Sequence, residues 1–333
     1  MIISKTPFRV SLFGGGTDYP VFYREHGGCA ISMAIDKYCY INVRYLPPFF
    51  DYNYRIRYTE QECCSDFNEI QHPSVRECIR YVGESKGLEI QHNADVPARS
   101  GLGSSSTFTV GLLNCLNGLS GRISGKDNLA SSAIHVEQNM IKENVGSQDQ
   151  IAAAFGGLNK IEFRRDDSYS VNAMTLESSF IDEMEKSFLL VFTGFQRMAS
   201  DIAEEQIRKT PSKQKELLAI RDIAEEATEL LSHSSKSVKE LGALLKRQWE
   251  IKRTLTSKVS TDRIDEIYQA GMSAGAYGGK LLGAGGGGFM LFLAERERHG
   301  KILEALGGLV HVPFKIDNAG SQVIYYTPAQ VDW

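Results

Sequence analysis

The chain has 333 residues, 42% hydrophobic and 23% charged, with a formal charge of −4 and a pI near 6.0. Such a length favours two domains over one, and the balance is that of a globular protein. A polybasic surface for nucleic acid or membrane is excluded, the apolar runs are too short to cross a bilayer, and no signal peptide opens the chain. The six cysteines (Cys29, Cys39, Cys63, Cys64, Cys78 and Cys115) include no CxxC pair, and adjacent Cys63 and Cys64 lack zinc-ligand spacing. Reduced thiols in a cytoplasmic protein are therefore expected, without a transition-metal site.

The first half reads as mixed strand and helix. "IISKTPFRVSLFG" is a strand that ends in glycines, and "KYCYINVRYL" alternates as a strand does. "PPFFDYNYRIRYTE" is a turn followed by a strand, and "SVRECIRYVGESKG" a helix with a stop at Gly87. "LEIQHNADVP" is a strand that delivers the chain to "PARSGLGSSSTFTVGLL". There Phe108, Leu112, Cys115, Leu116 and Leu119 take the spacing of an amphipathic helix. A long helix follows over 127–144, with Ser124 and Asp127 spaced as a capping box. The second half is more helical, with "KQKELLAIRDIAEEATELLSHS" and "SVKELGALLKRQWEIKRTL" both amphipathic with charged outer faces. A composition break near "NAMTLESSFIDEMEK" divides the chain into domains 1–175 and 176–333.

Three glycine-rich stretches stand beside periodic segments: residues 8–19, the loop from Pro97, and residues 280–292. The loop from Pro97 puts Gly101, Gly103 and three serines at a helix N-terminus, where free N–H groups and the positive end of the dipole suit a phosphate. Neither G-x-x-x-x-G-K-[ST] nor a complete G-x-G-x-x-G occurs, which excludes the P-loop and the Rossmann fingerprint. Glu137 falls on the apolar stripe of its helix, with Ala133, Ile134 and Ile141. A buried carboxylate calls for an ion pair or a metal. Asp149, in "GSQDQIAAAFGG", is either an acid at a helix start or a catalytic group. Arg9 and Asp18 are either ordinary pairing charges or part of a site.

Taken together, these residues resemble the GHMP kinase superfamily. "PARSGLGSSS" is similar to its phosphate motif, "KLLGAGGGGF" to its C-terminal glycine motif, and "PFRVSLFGGGTDY" to its N-terminal motif, all in the family's order. The resemblance implies an α+β, two-domain architecture: an N-terminal mixed sheet with helices and a C-terminal helix-rich α/β sandwich. It implies ATP and Mg²⁺ as cofactors. ATP would lie on Pro97, Ser100, Gly101, Leu102, Gly103, Ser104, Ser105 and Ser106, with the metal on Ser105 and Glu137. Asp149 matches the catalytic base and Arg9 the arginine that pairs with it or with the transferring phosphate. Substrate would meet Gly15, Gly16, Thr17 and Asp18, and Gly285, Gly286 and Gly287 across the cleft.

Gly15 and Gly16 replace a sugar-binding Glu-His pair of galactokinases, which makes room for a larger sugar. The form "FRVSLFGGGTD" resembles the bacterial D-glycero-D-manno-heptose 7-phosphate kinase branch, which acts at the anomeric hydroxyl on the way to GDP-heptose and surface polysaccharides. Arg197, in "TGFQRMASDIAEEQ", is the first candidate for the substrate phosphate and Lys37 the second. A kinase for another sugar, such as fucose, and a non-catalytic nucleotide or sugar sensor are the alternatives. Sugar phosphate and ATP are the expected partners, in a monomer or homodimer, with no nucleic acid and no membrane.

Overall fold

The computed structural model describes residues 1–196, 199–233 and 237–327. Its elements run β1 (Ile2–Phe13), α1 (Pro20–His26), β2 (Gly28–Tyr45), β3 (Tyr54–Arg57), β4 (Gln61–Cys64), α2 (Pro73–Val82), β5 (Leu88–Ala94) and α3 (Ser104–Leu119). Then come α4 (Lys126–His135), α5 (Gln148–Phe155), β6 (Leu158–Phe163), β7 (Tyr169–Ala173), α6 (Ser178–Ser187), β8 (Phe188–Phe192) and α7 (Ala199–Lys209). The last are α8 (Gln214–Ser232), α9 (Val238–Lys252), α10 (Asp262–Ser273), β9 (Gly278–Leu281), β10 (Phe289–Leu293), α11 (His299–Ala305) and β11 (Gln322–Tyr326).

The mixed sheet runs β11-β1-β2-β5-β3-β4, with β6 and β7 continuing from β2. Strand β2 is 18 residues long, long enough to pair β6 through Gly28–Met33 and β5 through Cys39–Tyr45. Along its other edge it pairs antiparallel with β1, with register shifts at Pro7/Phe8 and Ser11/Phe13. Such bulges bend a strand and re-aim its side chains, and these two bracket Arg9. Helix α3 lies on β1 and β2. Gly111 allows the approach: a Cβ there would stand 2.8 Å from Thr6 Oγ1, and the Ser4 hydroxyl donates to the Gly111 carbonyl at 2.9 Å. A second, antiparallel sheet β8-β10-β9 packs against α9 and α10 around Trp249, Tyr268, Met290 and Phe292. This is the expected mixed sheet with helices followed by a helix-rich half.

Strand β11, from beyond residue 175, pairs with β1. Three expectations change. Helix α2 stops at Gly83, which takes φ 73° and donates to Ile79, and not at Gly87. The helix expected over 127–144 is α4 followed by a π-helical turn, Val136–Ile141, closed by Lys142 at φ 62°. Ser124 does not cap α4, because it accepts from Asn117 Nδ2 at 2.9 Å and Gly125 takes the cap position.

Candidate active site

The first turn of α3 forms the floor of the site. Gly103, at φ 76°, precedes it, and the first intrahelical N–H to find a partner is that of Thr107. The Ser104, Ser105 and Ser106 N–H groups are the orphan donors of the helix start. The preceding loop is shaped by the Ser104 hydroxyl, which accepts from Arg99 N at 3.1 Å. Ser100 is fully buried, and its hydroxyl has no partner among the described residues. Leu102 is also fully buried, whereas Pro97 is exposed at the loop's outer edge.

Against this turn stand Arg9 and Asp149. Arg9 Nε donates to Asp149 Oδ1 at 2.7 Å and Nη2 to Oδ2 at 2.6 Å, while Nη1 donates to the Gly101 carbonyl at 2.7 Å. The bidentate fork fixes the carboxylate plane. A Cβ on Gly103 would lie 3.3 Å from Asp149 Oδ2, so the pair sits directly at the helix start. Asp18 joins from the turn after β1. Its Oδ1 accepts from Gly16 N at 2.8 Å, and burial with the Asp149 charge raises its pKa. A Cβ on Gly146 would meet Asp18 Oδ2 at 1.9 Å, so only glycine leaves room for that carboxylate.

Glu137 is fully buried and has no ion-pair partner among the described residues. Its Oε2 accepts from the Ser106 hydroxyl at 2.8 Å and from Gln150 Nε2, while Oε1 has no hydrogen-bond partner among the described residues. Burial pushes its carboxyl up to about 7, reinforced by the charge of Glu143. The ion-pair alternative is therefore not what the structure holds. An orphaned buried carboxylate oxygen beside a second carboxylate fits a divalent cation, which takes one or two protein carboxylates and completes its shell with phosphate oxygens and water. Of the two hydroxyls nearby, that of Ser106 reaches Glu137. Ser105 is exposed and faces Glu143.

The second glycine run closes the site from the C-terminal half. A Cβ on Gly101 would lie 2.7 Å from the Leu282 carbonyl, and one on Gly288 2.2 Å from that of Ser100. Phe289 N donates to the Ser100 carbonyl at 2.9 Å. The glycines thus let two backbones touch. In this packing Gly285 and Gly286 rest on Val259, and Gly287 on Phe195. Thr17 is fully buried, and its hydroxyl donates to the Gly14 and Cys29 carbonyls at 2.8 and 2.9 Å, which builds the turn. Lys37 is tied to Asp36 at 3.0 Å, beside the segment at Lys315. Arg197 lies outside the described residues.

Sequence reasoning missed the buried cations. Lys252 Nζ donates to the Leu281 and Gly283 carbonyls, and Lys280 Nζ to those of Ser11 and Leu12, each at 3.0 Å. Neither has a carboxylate partner among the described residues. Burial lowers Lys252 to about 8 and Lys280 well below its usual value, with Arg9 adding to both shifts. The signal was present: Leu241, Leu245, Gln248, Trp249 and Lys252 share one stripe of α9, as the argument applied to Glu137 would have shown.

Comparison with known proteins follows the same lines. Residues 73–157 match the family model described as GHMP kinases N terminal domain, and residues 227–309 that described as GHMP kinases C terminal. A D-glycero-alpha-D-manno-heptose 7-phosphate kinase of Campylobacter jejuni is 28% identical over 92% of this chain and 93% of its own. The crystal structure of a D-glycero-D-manno-heptose 1-phosphate kinase from Bacteroides thetaiotaomicron has a TM-score of 0.76 at 26% identity, covering 98% of this chain and 99% of that one. A bifunctional fucokinase/GDP-fucose pyrophosphorylase of Arabidopsis thaliana is 25% identical over 90% of this chain, which spans 30% of that protein.

Proposed function

The chain belongs to the GHMP kinase family, and from that premise we propose that it transfers the terminal phosphoryl group of ATP to the anomeric hydroxyl of D-glycero-D-manno-heptose 7-phosphate, giving the 1,7-bisphosphate. The observation that carries the reading is Asp149, gripped by Arg9 at the start of α3 and close enough for its charge to act on Asp18. The orphan N–H groups of α3 take the nucleotide's phosphate oxygens, as helix starts do. Phosphoryl transfer is largely positioning and charge neutralisation. Arg9 supplies a fixed cation for both. Asp149 takes the proton as the sugar oxygen attacks, and the Arg9 fork keeps the carboxylate aimed. Asp18 accepts from sugar hydroxyls.

Glu137 would hold Mg²⁺ through Oε1, which has no partner among the described residues, together with Ser105, whose hydroxyl faces the neighbouring Glu143. When bound, the metal neutralises charge on the phosphates. The 7-phosphate needs a cation, and Arg197 is proposed for it.

Names of the two heptose enzymes agree on a heptose phosphate and differ in which phosphate is named. Purified protein with ATP and Mg²⁺ should therefore be offered heptose 7-phosphate, heptose 1-phosphate, the free heptose, fucose and galactose, with product regiochemistry read by ³¹P NMR. The 7-phosphate is expected to give the highest kcat/KM and a new anomeric phosphate signal. A preference for any other sugar, or a product phosphorylated elsewhere, overturns this substrate assignment.

A further inference from the structure

Two buried polar side chains of α9, Gln248 and Lys252, reach the site from behind. They lie four residues apart and so share one face of the helix. Gln248 accepts from Gly14 N at 2.8 Å and donates to the Leu12 carbonyl at 3.0 Å, which ties down the end of the strand that carries Arg9. Lys252 holds the second glycine run instead. Its Nζ donates to the Gly283 carbonyl at 2.5 Å and to the Leu281 carbonyl at 3.4 Å. These two carbonyls flank Leu282, so one ammonium holds the turn on both sides of that residue.

The held turn presses on the loop before α3. A Cβ on Gly283 would lie 2.7 Å from Gly101 Cα, and one on Gly101 2.7 Å from the Leu282 carbonyl. The Gly101 carbonyl in turn takes the third Arg9 donor, Nη1, at 2.7 Å, while the other two hold Asp149. A guanidinium is a rigid plane. Three fixed acceptors set its position, and Gly101 is the one that does not belong to Asp149. Contact is therefore continuous from Lys252 through Gly283 and Gly101 to Arg9 and Asp149.

Stability alone does not call for an ammonium here. Lys252 has only carbonyls to donate to and no carboxylate partner among the described residues, and a buried charge so placed costs more than an apolar side chain. Burial lowers it to about 8, with the Arg9 charge adding to the shift. Groups that cost a fold stability are kept where a site needs them.

We propose that Lys252 is a positioning residue of the phosphoryl-transfer site. By holding the turn 281–283 it fixes Gly101, and through Gly101 both the guanidinium that aims Asp149 and the loop that carries the nucleotide's phosphates. The inference rests on the reading of Arg9 and Asp149 as the reacting pair and deepens it.

Lys252→Met keeps an unbranched stem and removes the ammonium. Its kcat should fall about 10-fold or more, since a small displacement set far from the chemistry can cost about 100-fold. The Kd for ATP, titrated without sugar, should rise about threefold or more, and the KM for sugar should stay within about twofold, because Gln248 still holds the Gly14 end. The Tm should stay at or above the wild-type value, as an apolar replacement of a buried charge allows. Added to Arg9→Lys, which has no fork to aim, the same substitution should lower kcat by less than about threefold. Wild-type kcat and ATP affinity in Lys252→Met overturn the inference, as do a lowered Tm with unchanged kinetics and a double variant whose losses simply multiply. Lys252→Gln, which keeps an amide donor, is the second variant. Failure of both to fold shows that the ammonium holds the fold and also overturns the inference. Wild-type protein that binds ATP but phosphorylates no sugar overturns the sugar-kinase reading alone, and the ATP titration of Lys252→Met then decides whether Lys252 sets the loop.

Discussion

Glu137→Gln should make the protein more heat-stable at alkaline pH while it loses activity. The carboxyl of Glu137 is fully buried and pushed up from 4.5 to about 7. Its protonated form is thus the one the fold favours. The unfolded chain releases this proton near 4.5, and the folded chain holds it to about 7. The contribution of this group is intact below the unfolded value and is lost as pH rises through the folded one. At about 1.36 kcal/mol per unit, between pH 5 and pH 8 the folded wild type loses roughly 2–3 kcal/mol from this carboxylate alone. Glutamine has no such titration, and its amide oxygen can still accept from Ser106 and Gln150, which share one oxygen in the wild type. An unfolding entropy of about 2.1 cal/mol/K per residue converts the difference to about 3–4 °C for a chain of this size.

Calorimetry of both proteins at the two pH values reads this directly. The Tm of the variant, relative to wild type, should climb by that amount from acid to alkaline pH. Addition of Mg²⁺ and ATP should raise the wild-type Tm and raise that of the variant much less. A Tm gap that does not change with pH refutes the burial argument, and equal stabilisation of both by Mg²⁺ and ATP refutes the metal role.

Asp149→Asn should lower kcat on the order of 10²–10⁴-fold with ATP binding retained, as measured by steady-state rates beside nucleotide titration; near wild-type turnover would remove Asp149 from the chemistry. Gly101→Ala places a methyl 2.7 Å from the Leu282 carbonyl at φ 85°. It should cost about 1–3 kcal/mol in stability from the backbone alone and raise the KM for ATP. Unchanged denaturant midpoints and ATP kinetics would show that the two glycine runs do not touch.

What could be read in advance was what is local. The helix α3 and its phosphate-ready start follow from glycines, serines and a 3.6-residue apolar period within one short window. Burial of Glu137 followed from the same period, although α4 gives way to a π-helical turn before reaching it. Lys142, which closes that turn in a left-handed conformation, gives no such signal, since lysine is an ordinary helix former. Lys252 was legible by period but was read as part of a charged outer face. At Gly285, Gly286 and Gly287 glycine marks close approach without saying what approaches; Val259 and Phe195 are the neighbours the fold supplies.

The pairing of β11 with β1 bears on how the chain folds as it is made. Ile2 and Ile3 face Tyr326 and Tyr325, partners far apart in the sequence. Strand β1, which carries Arg9, keeps one bare edge until β11 (Gln322–Tyr326) has emerged. At 5–20 residues per second this wait lasts about 15–65 s. A bare strand edge is a template for wrong pairing, and contacts of such long range form slowly. The hazard is met partly from within, since β2 follows at Gly28 and covers the other edge of β1 early. The strand that carries Arg9 is therefore protected along one edge early and along the other only when β11 arrives.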